Sequence, residues 1–463
     1  MRYVLDSRAR RISNGTALLG GSPFRMMRLS HSGSELLDRW LAGRYSSDTE
    51  AAVQLRQRLL DAGLLHPVWA PADLAHHRIG VVVPVLDDPV GLAALLAAVR
   101  TDLPTAPIVV VDDGSKDPSE VLAIAVGAEA TVVRHEVNQG PSAARNAGVR
   151  ALGEADLVLF ADADVIPERH SIGTLVGHFH DEAVVAVAPR VRAAVGSSAL
   201  ARYEAEHSPL DMGDTSARVQ RGSETPYVPS TMLAVRRSAF DHVDGFDTHL
   251  RIGEDVDLIW RLLDNGGVVR FEPRAVARHR NRGGWKKLAG QRHHYGRAAA
   301  DLDKRFPGHV APVDLPGATL AAWLMFWLGG IPGAVAGLGV AAVDAVRLER
   351  RLASADDDRE VRQLVLRSHG RTGHWLGRAV TRTWLPAFAA ASLFSSRARV
   401  ALGAAALVPP AIDWIHRLPP LDPARYIGAR ILDDAAYCSG VWRGVITGPN
   451  LRPLWPRIRR PQN

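Results

Sequence analysis

Four short runs of β-branched and other apolar residues, separated by helical patterns, constrain the fold of this chain more than any other feature. The runs occupy residues 79–85, 108–111, 131–134 and 157–161, and turn-forming residues follow them. Buried strands that alternate with helices form right-handed βαβ units, and such units build a parallel sheet. We therefore predict an α/β domain over residues 78–284, with its ligand site where the carboxyl ends of the strands meet the loops.

The chain has 463 residues, which is too long for one core, so further domains are expected on both sides of the α/β domain. The sequence of residues 1–75, which precedes the α/β domain, predicts a strand at 3–5, polar turns, and two amphipathic helices at 34–42 and 49–62. We predict that this region is a small winged-helix-like domain, and a helical cap packed on the α/β domain is the alternative. After it, residues 285–463 predict a helical, apolar region.

The charge and the cysteine content narrow the possible partners and the compartment. The net charge of +7 favours an acidic partner such as a nucleotide, a lipid head group or a nucleic acid. We predict no nucleic-acid partner, because the basic residues do not alternate with aromatic residues on a recognisable recognition element. Cys438 is the only cysteine, which fits a reducing cytoplasm and leaves no cysteine-based metal cage. The first fifteen residues lack the apolar stretch of a secretion signal, so we expect the N-terminal part to stay in the cytoplasm.

The C-terminal region combines apolar stretches with arginine and tryptophan. Residues 315–343 contain no charged side chain, and about 20 apolar residues suffice to cross a membrane. Glycines and a proline interrupt the centre of this stretch, so a re-entrant hairpin and a straight span both remain open. Two further apolar stretches, 384–394 and 400–412, are too short to cross. The arginine and tryptophan residues between these stretches favour anionic head groups, hence the cytoplasmic face of the membrane, whereas a buried bundle of a soluble protein is the alternative.

Polar motifs occur in a fixed order at the ends of the predicted strands. They are VVVPVLDD, VVVDDGSKDPSE, NQGPSAARNAG and LFADADVIPE. In the last motif, the alternation of side chains along an extended chain points Asp162 and Asp164 in the same direction. Two acids after a buried strand are costly without a counter-ion, so this motif predicts a divalent cation, Mg²⁺ or Mn²⁺.

In this order, and with GEDVDLIWRLLDNG further along, the motifs resemble those of the family 2 glycosyltransferases over about 200 residues. The resemblance implies a GT-A fold, a UDP-sugar donor and a bound divalent metal. It places Asp164 on the metal, with His279 as a second ligand, and Asp162 toward the ribose. It also implies donor contacts for three residues of the earlier motifs: Pro84 at the nucleotide base, Asp113 at the uracil edge and Arg145 near the nucleotide.

The acids Glu254 and Asp255 open a predicted helix, where acids are ordinarily partners of the helix dipole. By the resemblance, Asp255 is instead the general base, which must reach the acceptor hydroxyl. The implied reaction is a single displacement that inverts the anomeric carbon, in which the metal and basic residues stabilise the departing diphosphate. The basic residues that follow His279 or flank it are Arg278, Arg280, Arg282, Lys286 and Lys287.

Two further resemblances concern the rest of the chain. The segments LSHSGSELLDRW and RLLDAGLLHP of the N-terminal region resemble PqqD-like peptide-recognition modules. The segment QRHHY resembles the Q-x-x-R-W motif of processive members of the family, such as cellulose and hyaluronan synthases. His294 and Tyr295 replace its Arg and Trp, which argues against the extrusion of a long chain.

The organisation of the whole chain resembles the glycosyltransferases of the mycofactocin system. This resemblance implies the transfer of a hexose, glucose from UDP-glucose, to a hydroxyl of a peptide-derived cofactor, with several β-linked units as a possible product. A polyprenol or other lipid acceptor is the alternative that the apolar C-terminal region favours. A non-catalytic module that binds a nucleotide sugar is a third interpretation, against which the intact Asp164 and Asp255 argue.

Overall fold

The chain forms two compact units. The computed structural model describes residues 2–12, 15–22, 24–44, 49–194, 196–280, 283–328, 330–352 and 358–459. One unit comprises Met1–Val195 and His207–Arg282, and the other comprises Gly196–Glu206 and Gly283–Asn463. The N-terminal region thus belongs to the same unit as the α/β domain, and the domain boundaries drawn from the sequence stay predictions.

The N-terminal region of the first unit is a small mixed structure. Its elements are β1 (Arg2–Leu5), β2 (Arg10–Ile12), β3 (Ala17–Gly20), β4 (Arg25–Arg28), α1 (His31–Leu41), α2 (Glu50–Asp61) and β5 (Leu65–Val68). β1 pairs with β5, and β2, β3 and β4 form an antiparallel sheet. Both helices were predicted, but the polar turns were wrong, because strands of three or four residues that contain Arg and Gly give no clear period-2 pattern. The winged-helix interpretation stays a prediction.

A mixed sheet forms the centre of the α/β domain. Its strands are β6 (Ile79–Val85), β7 (Ile108–Asp112), β8 (Thr131–Arg134), β9 (Leu157–Ala161), β10 (Val165–Pro167), β11 (Val184–Ala193), β12 (Ala217–Arg218), β13 (Met232–Arg236) and β14 (Val268–His279). The strand order is β8–β7–β6–β9–β13–β11–β14–β10, with β12 also on β14. The four predicted strands, β6 to β9, are confirmed and run parallel. The prediction of a parallel sheet is wrong beyond β9, because β13 joins antiparallel and needs no crossover helix.

Three helices of the domain begin at the edge of the sheet where the motifs lie. In chain order the helices that follow β6 are α3 (Pro89–Asp102), α4 (Pro118–Gly127), α5 (Pro141–Ala151), α6 (Ser171–Val176), α7 (Ala199–His207), α8 (Arg237–His242) and α9 (Glu254–Asp264), of which α7 belongs to the second unit. Proline opens α3, α4 and α5, where its missing N–H costs no hydrogen bond. The N-termini of these three helices therefore follow the carboxyl ends of strands β6 to β8.

The second unit is mainly helical. Its remaining elements are α10 (Trp285–Arg305), β15 (Asp314–Pro316), α11 (Gly317–Leu328), α12 (Gly330–Leu352), α13 (Asp358–Arg382), α14 (Leu385–Phe394), α15 (Ser396–Arg417), α16 (Pro423–Thr447) and β16 (Arg457–Arg459). The apolar stretch 315–343 divides into α11 and α12, which pack closely where Gly333 meets the carbonyl oxygen of Met325. Two packed helices are therefore present rather than one straight span. Gly329, which precedes α12, lies outside the described residues.

α15 is longer than its apolar run. The stretch 400–412 was predicted to be too short to cross a membrane, and this is wrong because polar residues extend the helix at both ends to 22 residues, about 33 Å. Among the described residues, α15 is the one helix long and apolar enough to cross a membrane, and only 17% of its most apolar stretch is buried. Length and composition alone also fit a helix that lies on a surface.

α10 and α16 cross at glycines, and this contact yields a stability prediction. A Cβ atom on Gly440 would lie 1.8 Å from the carbonyl oxygen of His293, whereas a Cβ atom on Gly428 of the same helix would meet no atom within 4 Å. We expect Gly440→Ala to destabilise the second unit by about 2 kcal/mol, because the two helix backbones must separate. Gly428→Ala should be neutral or stabilising by up to about 1 kcal/mol, because alanine favours the helix. Thermal melting of both variants checks this, and equal melting temperatures would contradict it.

Candidate active site

Two loops at the carboxyl ends of β6 and β7 are tied together by Asp87. The backbone N–H of Asp87 donates to Oγ of Ser115 at 2.9 Å, and Oδ1 of Asp87 accepts from the N–H of Lys116 at 2.8 Å. Asp87 adopts a left-handed backbone with φ of 51°. Pro84 lies near the end of β6, shortly before Asp87, and pairs with Val111 of β7. The hydrogen bonds of Asp87 make it a structural residue of this edge.

Asp113, predicted to contact the uracil edge, is buried at the carboxyl end of β7. Its Oδ1 accepts from Nδ1 of His135 at 2.8 Å and from the N–H of Gln139 at 3.0 Å, and its Oδ2 accepts from the N–H of Gly140 at 2.8 Å. A carboxylate offers about four acceptor positions, so about one remains for a ligand. The base contact stays a prediction, and Asp113 also holds the start of α5.

Arg145 joins the two halves of the site. Its side chain is 3% exposed, its Nη2 donates to Oδ1 of Asp162 at 2.7 Å, and its Nη1 donates to Oε1 of Glu254 at 3.2 Å. Its guanidinium also stacks over the ring of Phe246 at 5.2 Å. Two carboxylates thus hold both terminal nitrogens of a residue that the sequence predicted to be near the donor nucleotide. Arg145 is well placed to fix Asp162 and Glu254, and its donor contact stays a prediction.

The neighbouring Asn146 holds the turn before α9. Its Nδ2 donates to the carbonyl oxygen of Phe246 at 2.7 Å, and its Oδ1 accepts from the N–H of Phe246 at 3.0 Å. Because Arg145 and Asn146 are consecutive on α5, one helix positions both Glu254 and the turn that leads to it. The sequence did not reveal this link, since Arg145 and Glu254 are 109 residues apart and no local pattern relates them.

The D-x-D motif follows β9 and faces β14. Burial raises the pKa of Asp162 to about 6, with the charge of Arg145 opposing the rise and the charge of Asp164 adding to it. Asp164 and His279 come together because β10 pairs with β14, and Oδ2 of Asp164 lies 3.4 Å from Nε2 of His279. The structure therefore brings together the two residues that the resemblance assigned to the metal. Both side chains are partly exposed, 28% and 19%, and so are accessible to a ligand.

The donor set of this edge fits a divalent cation held jointly with a substrate. Asp162, Asp164 and His279 supply carboxylate oxygens and an imidazole nitrogen, which suit Mn²⁺, while the oxygens suit Mg²⁺. In the described part of the chain, no group of three or more His, Cys, Asp or Glu side chains is arranged to hold a metal ion by itself, so a substrate would have to share the coordination. Such an open set is typical of Mg²⁺ sites, where one or two carboxylates and substrate phosphates share the coordination.

The three acids in the first turn of α9 have different surroundings. Glu254 pairs with Arg145, and Asp257 is buried and accepts from Nε of Arg261 at 2.8 Å. Asp255 forms no ion pair with any other described residue, and it accepts from the backbone N–H of Val256 at 2.8 Å. Burial, and then the charge of Glu254, raise the pKa of Asp255 to about 7. A carboxylate with a pKa near neutrality at the edge of a site is suited to accept a proton.

Two of the basic residues around His279 are engaged by acids. Arg278 pairs with Glu168 at 2.7 Å, and Arg280 pairs with Asp88, which also caps α3. The N–H of Arg280 donates to the carbonyl oxygen of Asp164 at 2.9 Å, so this residue lies directly beside the D-x-D motif. Lys286 and Lys287 belong to the second unit, and Arg282 lies outside the described residues. Their action on a leaving diphosphate stays a prediction.

A mixed α/β sheet with a D-x-D motif after its fourth strand and a buried Arg145 beside it defines a glycosyltransferase of the GT-A fold. Residues 80–244 match the model of Glycosyl transferase family 2. The pre-mycofactocin glycosyltransferase of Mycobacterium tuberculosis is 36% identical over 466 residues, which cover 98% of this chain and 97% of that protein. The chain belongs to glycosyltransferase family 2.

Other similar proteins match the chain less completely. The succinoglycan biosynthesis protein ExoU of Rhizobium meliloti is 30% identical over 192 residues, which cover 39% of this chain and 55% of that protein. Among solved structures, the mannosyltransferase PcManGT of Pyrobaculum calidifontis in complex with GDP-Man and Mn²⁺ is 18% identical, with a TM-score of 0.45 over 82% of this chain and 91% of that chain.

Proposed function

We propose that this glycosyltransferase acts in the mycofactocin pathway and moves a hexose, glucose from UDP-glucose, to a hydroxyl of the peptide-derived cofactor, with inversion at the anomeric carbon. The observation that carries the proposal is the Asp255 carboxyl, whose raised pKa suits a base and which is the next residue in sequence after Glu254, where Glu254 and Asp162 both pair with Arg145. The similarity to the pre-mycofactocin glycosyltransferase along nearly the whole chain supports this acceptor class.

In the proposed mechanism, Asp255 accepts the proton of the acceptor hydroxyl while that oxygen attacks the anomeric carbon. Arg145 holds Asp162 at the donor side and Glu254 at the acceptor side, so both substrates bind to groups fixed by one buried guanidinium. Asp164 and His279, with Asp162 beside them, would hold a Mg²⁺ or Mn²⁺ ion, and such an ion would supply positive charge near the departing diphosphate. No covalent intermediate on the protein is required.

The pKa of Asp255 gives a pH prediction. The base is active when deprotonated, and burial raises its pKa to about 7. We expect kcat/KM to fall about tenfold per pH unit below pH 7 and to level off above it, because kcat/KM reports the ionisation of the free enzyme. Initial rates from pH 5 to pH 9 at saturating metal check this. If kcat/KM stays constant down to pH 5, the general base of this mechanism cannot be a group whose pKa is about 7.

A lipid acceptor is the second candidate, and the surface of the second unit favours it. Several large apolar side chains of α14 and α15 are mostly exposed, among them Phe394 at 91%, Leu393 at 74% and Val400 at 67%. Exposed apolar patches of this kind are typical of contact with a membrane or a partner.

We propose that the second unit associates with the cytoplasmic face of the membrane, beside anionic head groups. Sedimentation of the full chain with anionic vesicles tests this, and a protein that stays in the supernatant without detergent would contradict it.

The experiment that tests the function offers the chain UDP-glucose, Mn²⁺ and either a peptide-derived mycofactocin precursor or a polyprenyl phosphate. The proposal expects a hexose to appear on the precursor, detected as a gain in mass, and a β linkage by NMR. Transfer to the polyprenyl phosphate alone would favour the lipid alternative. Tight donor binding without transfer or donor hydrolysis would favour the non-catalytic module.

A further inference from the structure

The second unit contains a positively charged cavity for which the sugar-transfer mechanism has no use. Its volume is 310 Å³, and it is open to solvent. Its wall includes two arginines of α13, Arg378 and Arg382, and two aromatic residues, Trp375 and Tyr437. Among the described residues that line it there is no carboxylate. A cavity of this size accommodates a small ligand, and the charged side chains among its described lining residues are both cationic.

The charge at this cavity is not balanced by the acids behind it. Arg382 lies 3.2 Å from Asp434 and 3.6 Å from Asp433, but the same two carboxylates also serve Arg292 and Arg430. Three guanidinium groups therefore share two carboxylates before Arg378 is counted. Asp413, a further described acid whose charge reaches Arg378, lies 3.7 Å from His374.

Arg378 is the group whose bonding is incomplete. Its Nε is buried without a hydrogen-bond partner, and no described carboxylate lies within ion-pair distance of its guanidinium. Burial, and then the charges of Arg430 and Arg382, lower the pKa of Arg378 to about 10. Arg378 lies one turn before the end of α13, where Arg382 is the basic residue of the last turn, and interaction with the helix dipole does not require a buried nitrogen without an acceptor. An uncompensated buried cation is costly, and a bound anion would offset this cost.

The aromatic residues make the site more specific than a patch of positive charge. The guanidinium of Arg382 stacks over the ring of Tyr437 at 3.9 Å, and the indole of Trp375 lines the cavity beside Arg378. Arg378 and Arg382 are four residues apart on α13 and face the same side. The two planar guanidinium groups at this spacing can both donate hydrogen bonds to the oxygens of one phosphate group. The two aromatic rings can contact an apolar or carbohydrate portion of the same molecule.

We propose that this cavity binds a phosphate group, held by Arg378 and Arg382, of a molecule whose remaining part contacts Trp375 and Tyr437. The phosphate belongs either to a lipid head group or to a soluble phosphate ester. The site lies within the second unit and its test measures binding, so failure of this proposal leaves the proposed sugar transfer untouched, and the reverse also holds.

The test measures binding to the full chain in a phosphate-free buffer. The soluble probe is glycerol 3-phosphate, titrated by calorimetry. The lipid probes are vesicles of phosphatidylcholine alone, and vesicles of equal parts phosphatidylcholine and phosphatidylglycerol, assayed by sedimentation. We expect saturable binding of the soluble probe, or of the phosphatidylglycerol vesicles, and a loss of affinity of about tenfold or more in Arg378→Gln, because a charge-assisted bond is removed.

The matched control is Arg443→Gln, which removes the same charge from an exposed position of α16 outside the cavity. If Arg378→Gln has a lowered melting temperature, Arg378→Lys replaces it in the binding assay. Arg378→Lys should retain part of the affinity, because lysine keeps the positive charge but lacks the bidentate guanidinium group. Equal effects of Arg378→Gln and Arg443→Gln would overturn the site in favour of a general surface charge. So would the absence of saturable binding with either kind of probe.

Discussion

Replacement of Asp255 by Asn is expected to slow sugar transfer by about 100- to 10,000-fold at pH 8, because asparagine cannot accept the acceptor proton. Donor affinity should change by less than about twofold, since the predicted donor contacts lie elsewhere. The measurement combines nucleotide-sugar binding by calorimetry with the rate of transfer under saturating metal. If Asp255 were only a partner of the helix dipole, asparagine would keep a hydrogen-bonding group at the N-terminus and the rate would barely change.

The same variant should be at least as stable as the parent at pH 8. Burial raises the pKa of Asp255 to about 7, above its value in the unfolded chain, so the folded state favours the protonated form. The unfolded state releases that proton first, and the stability contributed by Asp255 is lost as the pH rises from about 4 to about 7. Asparagine remains neutral and avoids this loss. A melting temperature that is unchanged or raised at pH 8, beside a large loss of rate, is the signature of a site residue rather than of a structural one.

Asp257→Asn is the matched control for this experiment. Asp257 stands two residues later in the same turn of α9, but it is buried and bonded to Arg261, which also donates to the carbonyl oxygens of Val243 and Gly245. Asp257→Asn should lower the melting temperature while the folded protein keeps its rate. The opposite result would be an Asp257→Asn variant that is stable but inactive and an Asp255→Asn variant with a nearly normal rate. That result would identify Asp257, rather than Asp255, as the general base.

The strands of the α/β domain could be predicted because the physics that forms them is local. Runs such as 79–85 and 157–161 are apolar on both faces, and a strand buried between two layers of helices needs that pattern. The second half of the sheet could not be predicted in the same way. β13 pairs with β9 antiparallel, but 38 residues, 194–231, separate it from β11, and they include α7 and β12. Neither the direction of β13 nor its partner is therefore encoded in the residues next to it.

The same distinction applies to the site. Asp162, Asp164 and Asp255 could be singled out because each lies in a short motif at the end of a strand or the start of a helix. The bond between Arg145 and Glu254, and the approach of His279 to Asp164, depend on which strands and helices become neighbours. Likewise the distinct roles of the acids in α9 could not be read from EDVD, because the partner of each acid lies on another element.

Replacement of Asp164 by Asn is expected to abolish metal-dependent donor binding. Asp164 supplies a carboxylate beside His279, and a neutral amide oxygen is a much weaker ligand for Mg²⁺ or Mn²⁺. We expect the affinity for UDP-glucose measured with Mn²⁺ to fall by about 100-fold, to the value that the parent shows in excess chelator. Calorimetric titration of UDP-glucose with and without Mn²⁺, for both proteins, checks this.

The decisive comparison is between the metal response of the variant and that of two controls. Asp241→Asn makes the same chemical change at an exposed ion pair with Arg237, and it should leave the Mn²⁺ response intact. His279→Gln removes the second predicted ligand, so it should shift the Mn²⁺ requirement upward without abolishing it, because Asp164 and the diphosphate still offer oxygens. If Asp164→Asn binds UDP-glucose as tightly as the parent and responds equally to Mn²⁺, the metal is not at this edge of the sheet. Full turnover of the parent in excess chelator would lead to the same conclusion, and Arg280, which lies beside the motif, would then be the residue to test for stabilisation of the diphosphate.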